Sequence, residues 1–158
     1  MSQLAKLNRK SSRLVELSFD RLNLFEPVMG QYHDLGVEFQ GAIALKPSNP
    51  EFLSKSDGLV LMPQGNKMLI TTSFKRPVAS VRALVCGSGS IVLTTYDVNG
   101  NLLDRTSKLA NLLLNVSSTT QTKLNSTWLQ SKKRGIARVE LHSCTPFTLS
   151  DFCFLGMA

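Results

Sequence analysis

The stretch PVASVRALVCGSGSIVLTTYDVNGNLLDR, residues 77–105, decides the fold class of this chain. Apolar side chains alternate in part from Val81 to Val85, two glycines follow, and residues 90–98 form a second run rich in β-branched and aromatic residues. The dipeptide Asn99-Gly100 predicts a type I′ hairpin turn, in which both central residues need a positive φ. The segment therefore predicts consecutive antiparallel strands joined by tight turns.

The same rhythm of short apolar runs and turn signals continues along the chain. It predicts strands over residues 13–19, 36–45, 59–62, 68–74, 77–86, 90–98, 101–106, 127–130, 135–144 and 147–154. Gly41 indicates a bulge in the strand 36–45. The leucines of residues 108–116 fit a short helix, and residues 116–122 fit a strand or a loop.

This number of short strands at this length predicts an all-β fold, an antiparallel two-sheet jelly-roll sandwich with a basic N-terminal arm. We expect residues 1–12 to form a flexible arm and residues 13–158 a single domain. The first and last strands of such sandwiches often pair, which would place Phe19 and Asp20 near Ser150 and Asp151.

Basic residues outnumber acidic ones, 18 to 11, for a formal net charge of +7. The excess is concentrated in two places, which supply the candidate anion-binding residues Lys6, Arg9, Lys10, Lys132, Lys133 and Arg134. Such a basic arm either holds phosphates or anionic lipid, or is a solvated leader that keeps the protein soluble.

The three cysteines, Cys86, Cys144 and Cys153, do not form a disulfide scaffold or a zinc site, because their number is odd and no Cys-x-x-Cys pair occurs. We expect buried free thiols, although one bridge stays open. No secretory h-region and no run of membrane-spanning length is visible, whereas an organelle transit segment remains compatible with the basic start. A cytoplasmic location is therefore favoured.

Catalytic motifs are missing from the sequence. His33 and His142 stand outside any nucleophile–base arrangement, and no carboxylate pair has a local spacing that points to glycoside hydrolysis. Gly87-x-Gly89 lies between predicted strands rather than before a helix, so it is not a phosphate-binding loop of a known type. These observations predict a non-enzymatic protein.

Sugar-binding proteins commonly use an aromatic platform with polar groups around it. Three rings are available as candidate ligand-binding residues, Tyr32, Tyr96 and Trp128, although Trp128 in the core and Tyr96 over a strand face is the competing interpretation. Carbohydrate is the leading ligand class. The alternative is an anion-binding protein, for nucleic acid or acidic lipid, or a self-assembling structural protein that uses the basic arm.

An ordered set of short motifs carries a family resemblance that spans about residues 17–155. In chain order they are Phe19-Asp20-Arg21-Leu22, Gln31-Tyr32 with Gly36-Val37-x-Phe39, Pro77-Val78, Val92-Leu93 through Tyr96-Asp97 to Gly100-Asn101, Gly135-Ile136-Ala137-Arg138-Val139, and Leu149-Ser150-Asp151-Phe152-x-Phe154. Together they resemble the jelly-roll domain of bacterial extracellular PEP-CTERM-type (exosortase-sorted) proteins, which is similar to galactose-binding-like and carbohydrate-binding modules. Relatives of this type are secreted and carry a sorting tail, and neither signal is visible in this chain.

The resemblance also implies a structural calcium ion between the first and last strands, with Asp20 and Asp151 as candidate metal ligands. Relatives tend to have paired aspartates in the last strand, where this chain has Ser150-Asp151. Two close carboxylates repel each other unless a cation lies between them. A salt bridge from Arg13 or Arg21 is the alternative to calcium.

Overall fold

Antiparallel strands make up most of the described residues, which are 12–48, 58–110 and 126–157 of a computed structural model. In chain order the strands are β1 (Leu14–Leu17), β2 (Pro27–Val28), β3 (Val37–Gln40), β4 (Ala42–Leu45), β5 (Val60–Pro63), β6 (Leu69–Gly87), β7 (Ile91–Tyr96), β8 (Leu102–Lys108), β9 (Thr127–Ser131), β10 (Ile136–Ser143) and β11 (Phe147–Gly156). Within these ranges the helical content is a single 3₁₀ turn at His33–Leu35. None of the helices described there has the length and apolarity needed to cross a membrane. The predicted all-β antiparallel sandwich is confirmed.

The sandwich consists of two layers that share strand β6. In the first sheet, the N-terminal part of β6 lies between β3 and β10, and β7 and β8 follow beyond β10. In the second sheet, the C-terminal part of β6 lies between β9 and β11; β1 and β5 pair with the far side of β11, and β4 and β2 extend from β5.

Strand β6 is one element of 19 residues, whereas the sequence predicted two strands, 68–74 and 77–86. The two predicted strands correspond to its two halves. Between these halves the pairing register of β6 with β10 shifts. Arg138 pairs with Ser73 but Ile136 pairs with Val78, so a step of two residues on β10 corresponds to a step of five on β6. Pro77 falls in this shifted stretch, where a residue without an N–H group is tolerated.

Gly41 marks a corner rather than a bulge in one strand over 36–45. The chain leaves the first sheet at the end of β3 and enters the second sheet at β4. Gly41 has a φ of 79°, and a Cβ atom there would lie 2.7 Å from the carbonyl oxygen of Leu69. A side chain would therefore be strained both by the backbone conformation and by the close approach of β6.

The hairpin between β7 and β8 is confirmed, but its turn is not the predicted type I′. Gly100 donates its N–H to the carbonyl of Asp97 at 3.1 Å, and Gly100 has a φ of 80° while Asn99 is not in the left-handed region. The Asp97 carboxylate accepts the N–H groups of Asn99 and Asn101, each at 2.9 Å. These bonds stabilise a turn that is longer than the predicted two-residue turn. They also lower the pKa of Asp97, with the bond from Asn101 as the main cause.

The core lies between the two sheets and is built from alternate residues of facing strands. The first sheet contributes Ile70, Leu93, Val139 and Leu141, and the second contributes Val81, Ala83, Leu129, Leu149 and Phe152. Phe152 contacts Phe39 edge-on and Phe74 in a stacked arrangement, with ring centroids 6.0 and 6.3 Å apart. Because the core uses alternate residues, the intervening side chains of regular strands such as β7 and β10 point to the outward face of their sheet.

The predicted pairing of the first and last strands is confirmed, since Leu14–Leu17 runs antiparallel to residues 152–155 of β11. Cys86 and Cys153 are buried, as expected, but Cys144 is exposed because it follows β10 in the tight connection to β11. The basic arm and most of the segments 108–116 and 116–122 lie outside the described residues.

Candidate functional site

The outward face of the first sheet carries a cluster of Tyr96, Arg138 and Glu140, here called the tyrosine face. Tyr96 on β7 is directly opposite Arg138 on β10, and the buried neighbours Thr95 and Val139 show that this pair points away from the core. The guanidinium carbon of Arg138 lies 4.3 Å from the centroid of the Tyr96 ring. This distance is typical of a cation–π contact.

Glu140 joins the two side chains. Its Oε2 accepts a hydrogen bond from the Tyr96 hydroxyl at 3.3 Å, and its Oε1 lies 3.6 Å from Nε of Arg138. The side chain of Arg138 is 41% exposed and that of Glu140 is 29% exposed. The cluster is therefore fixed by mutual contacts and still reaches solvent.

Neighbouring strands extend the tyrosine face with mainly polar side chains, apart from the exposed Leu102, which is opposite Tyr96 on β8. Glu38 and Ser73 continue the row that contains Arg138 and Tyr96, and the next row contains Gln40, Thr71, Glu140, Thr94 and Arg105. A ring bordered by fixed donors and acceptors is the arrangement with which proteins hold polyhydroxylated ligands.

A groove leads from the tyrosine face to one end of the sandwich. A cavity of about 310 Å³ is lined by Glu38, Ser73 and Lys75, and a second of about 370 Å³ is lined by Lys75, Arg76 and Phe154. The two cavities share Lys75 and three further lining residues, His33, Gly36 and Phe74. Each has the volume of a small ligand site.

Trp128 lies on the outward face of the second sheet, where its partner is Arg82. The guanidinium carbon of Arg82 is 4.3 Å from the centroid of the indole ring. Leu84, which is opposite Trp128 in the register, and Cys153, which is opposite Arg82, are both buried. Burial raises the pKa of the Cys153 thiol against the opposing effect of the Arg82 cation.

Tyr32 lies at the edge of the core. Its ring packs edge-on against Phe19 and Phe39, with centroid distances of 6.2 and 5.8 Å, and its hydroxyl donates to the carbonyl of Ser18 at 2.6 Å. Burial, with smaller contributions from the carboxylates of Glu26 and Asp20, raises the pKa of Tyr32 to about 12. The three candidate rings Tyr32, Tyr96 and Trp128 therefore stand in three different places rather than in one site.

Asp20 and Asp151 are brought together, as the pairing of β1 with β11 required. Both line a small, mainly polar cavity of about 170 Å³, which Ser18 and Ser150 also line. Neither carboxylate forms an ion pair with Arg13 or Arg21 in the described part of the chain. Two carboxylates and two hydroxyls are oxygen donors of the kind that Ca²⁺ prefers, but no third acidic side chain joins them among the residues described.

Three of the predicted anion-binding residues, Lys132, Lys133 and Arg134, are exposed in the connection between β9 and β10. Lys6, Arg9 and Lys10 lie outside the described residues.

The sequence had not singled out Arg138, Glu140, Lys75 or Arg76 as site residues. For Arg138 and Glu140 a signal was present, because the alternation over residues 136–141 places both side chains on the same face of a strand. Their contact with Tyr96 could not be inferred, since it depends on the register between β10 and β7.

The sequence matches no known family profile and no curated protein. Among solved structures, a lysine-to-alanine mutant of a family 29 carbohydrate-binding module complexed with cellulohexaose superposes with a TM-score of 0.50 at 7% identity, over 90% of this chain and 92% of that chain. A different mutant of a family 29 module gives the same TM-score, identity and coverage. At this identity the likeness shows that the chain shares the β-sandwich fold of these modules. The galactose-binding-like and exosortase-sorted parts of the resemblance stay predictions.

Proposed function

We propose that the chain is a non-catalytic carbohydrate-binding module and that the tyrosine face is its sugar-contacting surface. The observation that carries the proposal is the Tyr96–Arg138–Glu140 cluster, an aromatic ring, a guanidinium and a carboxylate fixed against one another on an outward-facing sheet. The modules that share the fold are named for carbohydrate binding, which supports this choice of ligand class.

The three side chains offer complementary contacts to a sugar. The Tyr96 ring is an apolar surface for the C–H face of a pyranose, the Arg138 guanidinium donates hydrogen bonds to sugar oxygens, and the Glu140 carboxylate accepts them from sugar hydroxyls. Because the cluster is held together before the ligand arrives, little side-chain entropy is lost on binding.

The proposal assigns Glu140 to hydrogen bonding and not to acid–base catalysis. Its Oε2 accepts a hydrogen bond from Tyr96 and its Oε1 faces the Arg138 guanidinium, so the carboxylate is held in place as a hydrogen-bond acceptor. Glycoside hydrolysis needs a second carboxylate across the scissile bond, within about 10 Å of the first, and the other acid of this face, Glu38, lies two strands and one row away. A bound oligosaccharide is therefore expected to be recovered uncleaved.

A structural calcium ion is a separate proposal, at the cavity that Asp20 and Asp151 share. Both carboxylates and the hydroxyls of Ser18 and Ser150 would hold the ion, which would relieve the repulsion between the two acids. Its effect would be on stability, because it would join the end of β1 to the middle of β11.

The test is a glycan array followed by calorimetric titration of the best soluble oligosaccharide. We expect Tyr96→Ala and Arg138→Ala each to weaken binding at least about tenfold, as loss of a central aromatic or arginine contact does at interfaces. Trp128→Ala is the matched control, since it removes the ring of the equivalent arginine pair on the opposite face.

Melting curves of all three variants establish that they are folded. If Trp128→Ala lost glycan binding while Tyr96→Ala kept it, the binding site would lie on the outward face of the second sheet, around Trp128, and the tyrosine face would be excluded. No binding to any neutral or charged glycan at millimolar concentration would contradict the proposed function itself.

A further inference from the structure

We infer that the ligand is an anionic glycan, whose carboxylate or sulfate groups lie on a basic surface next to the tyrosine face. This inference rests on the proposed function and adds the charge of the ligand to it. The surface, here called the basic end, consists of the exposed residues Arg13, Lys75, Arg76, Lys132, Lys133 and Arg134.

Backbone contacts around Val78 bring the segments of the basic end together. Gly156 on β11 pairs with Val78, and its N–H donates to the carbonyl of Arg13 at 3.0 Å. The N–H of Gly135 donates to the carbonyl of Val78 at 3.1 Å. The chain segments of Arg13, Arg76 and Arg134 therefore lie side by side within about three strand spacings, or roughly 15 Å.

The cations of the basic end form no ion pairs in the described part of the chain, although the acids Asp34 and Glu38 line the same cavities as Lys75. None of the six takes part in either of the two ion pairs found there, His33–Asp34 and Arg138–Glu140. Such a concentration of exposed like charge attracts a polyanion and weakens as salt screens it.

The basic end is continuous with the tyrosine face. Arg138 pairs with Ser73, and Lys75 is only two residues further along β6, about 7 Å away. The groove described above joins the same two regions, because Ser73 and Lys75 line one cavity while Lys75 and Arg76 line the next. One extended oligosaccharide could thus contact Tyr96 with one sugar unit and the basic end with a later unit of the same chain.

The composition of the tyrosine face favours a glycan over a nucleic acid. Glu38 and Glu140 lie within it and would accept hydrogen bonds from the hydroxyls of a sugar unit, while the anionic groups of the same ligand lie on the basic end. Single-stranded nucleic acid is held by several rings that stack successive bases. Tyr96 is the one aromatic ring in the described strands of this face.

The test compares two polymers with the same β-glucan backbone, hydroxyethyl cellulose as the neutral form and cellulose sulfate as the anionic form. Binding of the full chain is measured by affinity electrophoresis and calorimetry at low and at physiological salt. We expect at least tenfold tighter binding of cellulose sulfate at low salt, and a steep loss of this advantage as salt rises. Tyr96→Ala should weaken the binding of both polymers.

The double variant Lys75→Ser/Arg76→Ser is expected to lower the affinity for cellulose sulfate at least about threefold more than that for the neutral polymer, because it removes two of the six cations of the basic end. Lys46→Ser/Lys67→Ser is the matched control, because it removes the same charge from exposed positions outside the basic end. It should leave both affinities unchanged.

Equal binding of the two polymers would overturn the inference and keep the proposed function. A loss of affinity in the control variant as large as in Lys75→Ser/Arg76→Ser would overturn the inference, since the attraction would then be a property of net charge. Tighter binding to single-stranded RNA or to vesicles containing phosphatidylserine, with no effect of Tyr96→Ala on any ligand, would overturn both.

Discussion

The two outward faces of the sandwich contain the same local pair in different surroundings. In each, an arginine guanidinium lies 4.3 Å from the centroid of an aromatic ring, Arg138 over Tyr96 on one face and Arg82 over Trp128 on the other. Around Tyr96 the neighbours are solvent-accessible and mainly polar, with the exposed Leu102 opposite it on β8. Around Trp128 they include the buried Leu84 and Cys153.

This difference teaches that a cation–π pair does not define a binding site by itself. On the tyrosine face the pair has a third partner, Glu140, and leaves polar groups in solvent that a ligand can use. On the tryptophan face the pair lies beside apolar side chains that are already out of water, so its contribution is to stability.

The strongest test of this contrast compares truncations at the middle of each face. Leu84→Ala is expected to reduce the free energy of unfolding by about 3 kcal/mol, because Leu84 is buried. Thr94→Ala, on the tyrosine face, should change it by only about 0.5 kcal/mol or less. Urea denaturation measures both, and similar costs for the two variants would contradict the contrast.

The rings themselves should separate stability from binding. We expect Trp128→Ala to cost about 2 kcal/mol of stability, less than a fully buried tryptophan because the ring is half-buried. Glycan affinity should stay unchanged in this variant, whereas Tyr96→Ala should lose affinity at a smaller cost in stability. Denaturation and calorimetric titration of the same two proteins give both quantities.

Hydroxyl removal compares the two tyrosines more finely. Tyr32→Phe should cost about 1 kcal/mol, because the carbonyl of Ser18 loses its hydrogen bond. The folded-state pKa of Tyr32, about 12, lies above the ordinary value near 10. The protonated hydroxyl therefore stabilises the fold fully below pH 10, and this stabilisation is lost as pH rises through 12.

Alkaline denaturation of wild type and Tyr32→Phe checks this sign, since the variant should lose less stability over that pH range. Tyr96→Phe is the companion variant and should weaken glycan binding, because it removes the hydroxyl that donates to Glu140. An identical alkaline response of wild type and Tyr32→Phe would show that burial of this hydroxyl does not bear on folding.

Calcium should have the smallest effect. At a concentration three times its Kd, one bound ion stabilises the fold by about 0.8 kcal/mol. A chelator should therefore lower the melting temperature slightly, added calcium should restore it, and Asp151→Asn should remove the response. Glu16→Gln, on the neighbouring strand β1, is the control that should retain it, and a melting curve unaffected by chelator would rule the ion out.

Local sequence signals were sufficient to predict most strands and the hairpin at Asn99-Gly100. They were insufficient where the course of a strand depends on pairing with segments that are distant in the sequence. The alternation around Gly41 looks continuous, and only the pairing of β3 and β4 with different sheets makes this glycine a corner. Pro77 suggested the start of a new strand, because the local rule cannot know that β10 changes register at that point.

The candidate site was predictable to a lesser degree. Tyr96 was identified as a possible ligand contact because rings are few, but the same reasoning selected Tyr32 and Trp128 with equal weight. What distinguishes Tyr96 is its position opposite Arg138 and two residue pairs from Glu140, both of which lie more than 40 positions later in the chain. The run of basic residues identified Lys132, Lys133 and Arg134 as candidates in the sequence. Lys75 and Arg76 become candidates only because the fold places them beside that run.

Because β6 belongs to both sheets, neither layer can unfold while the other stays intact. Residues 69–74 hold β3 and β10, and residues 78–87 hold β9 and β11, along one uninterrupted backbone. Opening either layer exposes part of the same strand, so unfolding should be all-or-none rather than layer by layer. In hydrogen exchange, the amides of β6 should accordingly be among the slowest and should exchange only through global unfolding, at a common free energy on both sides of Pro77.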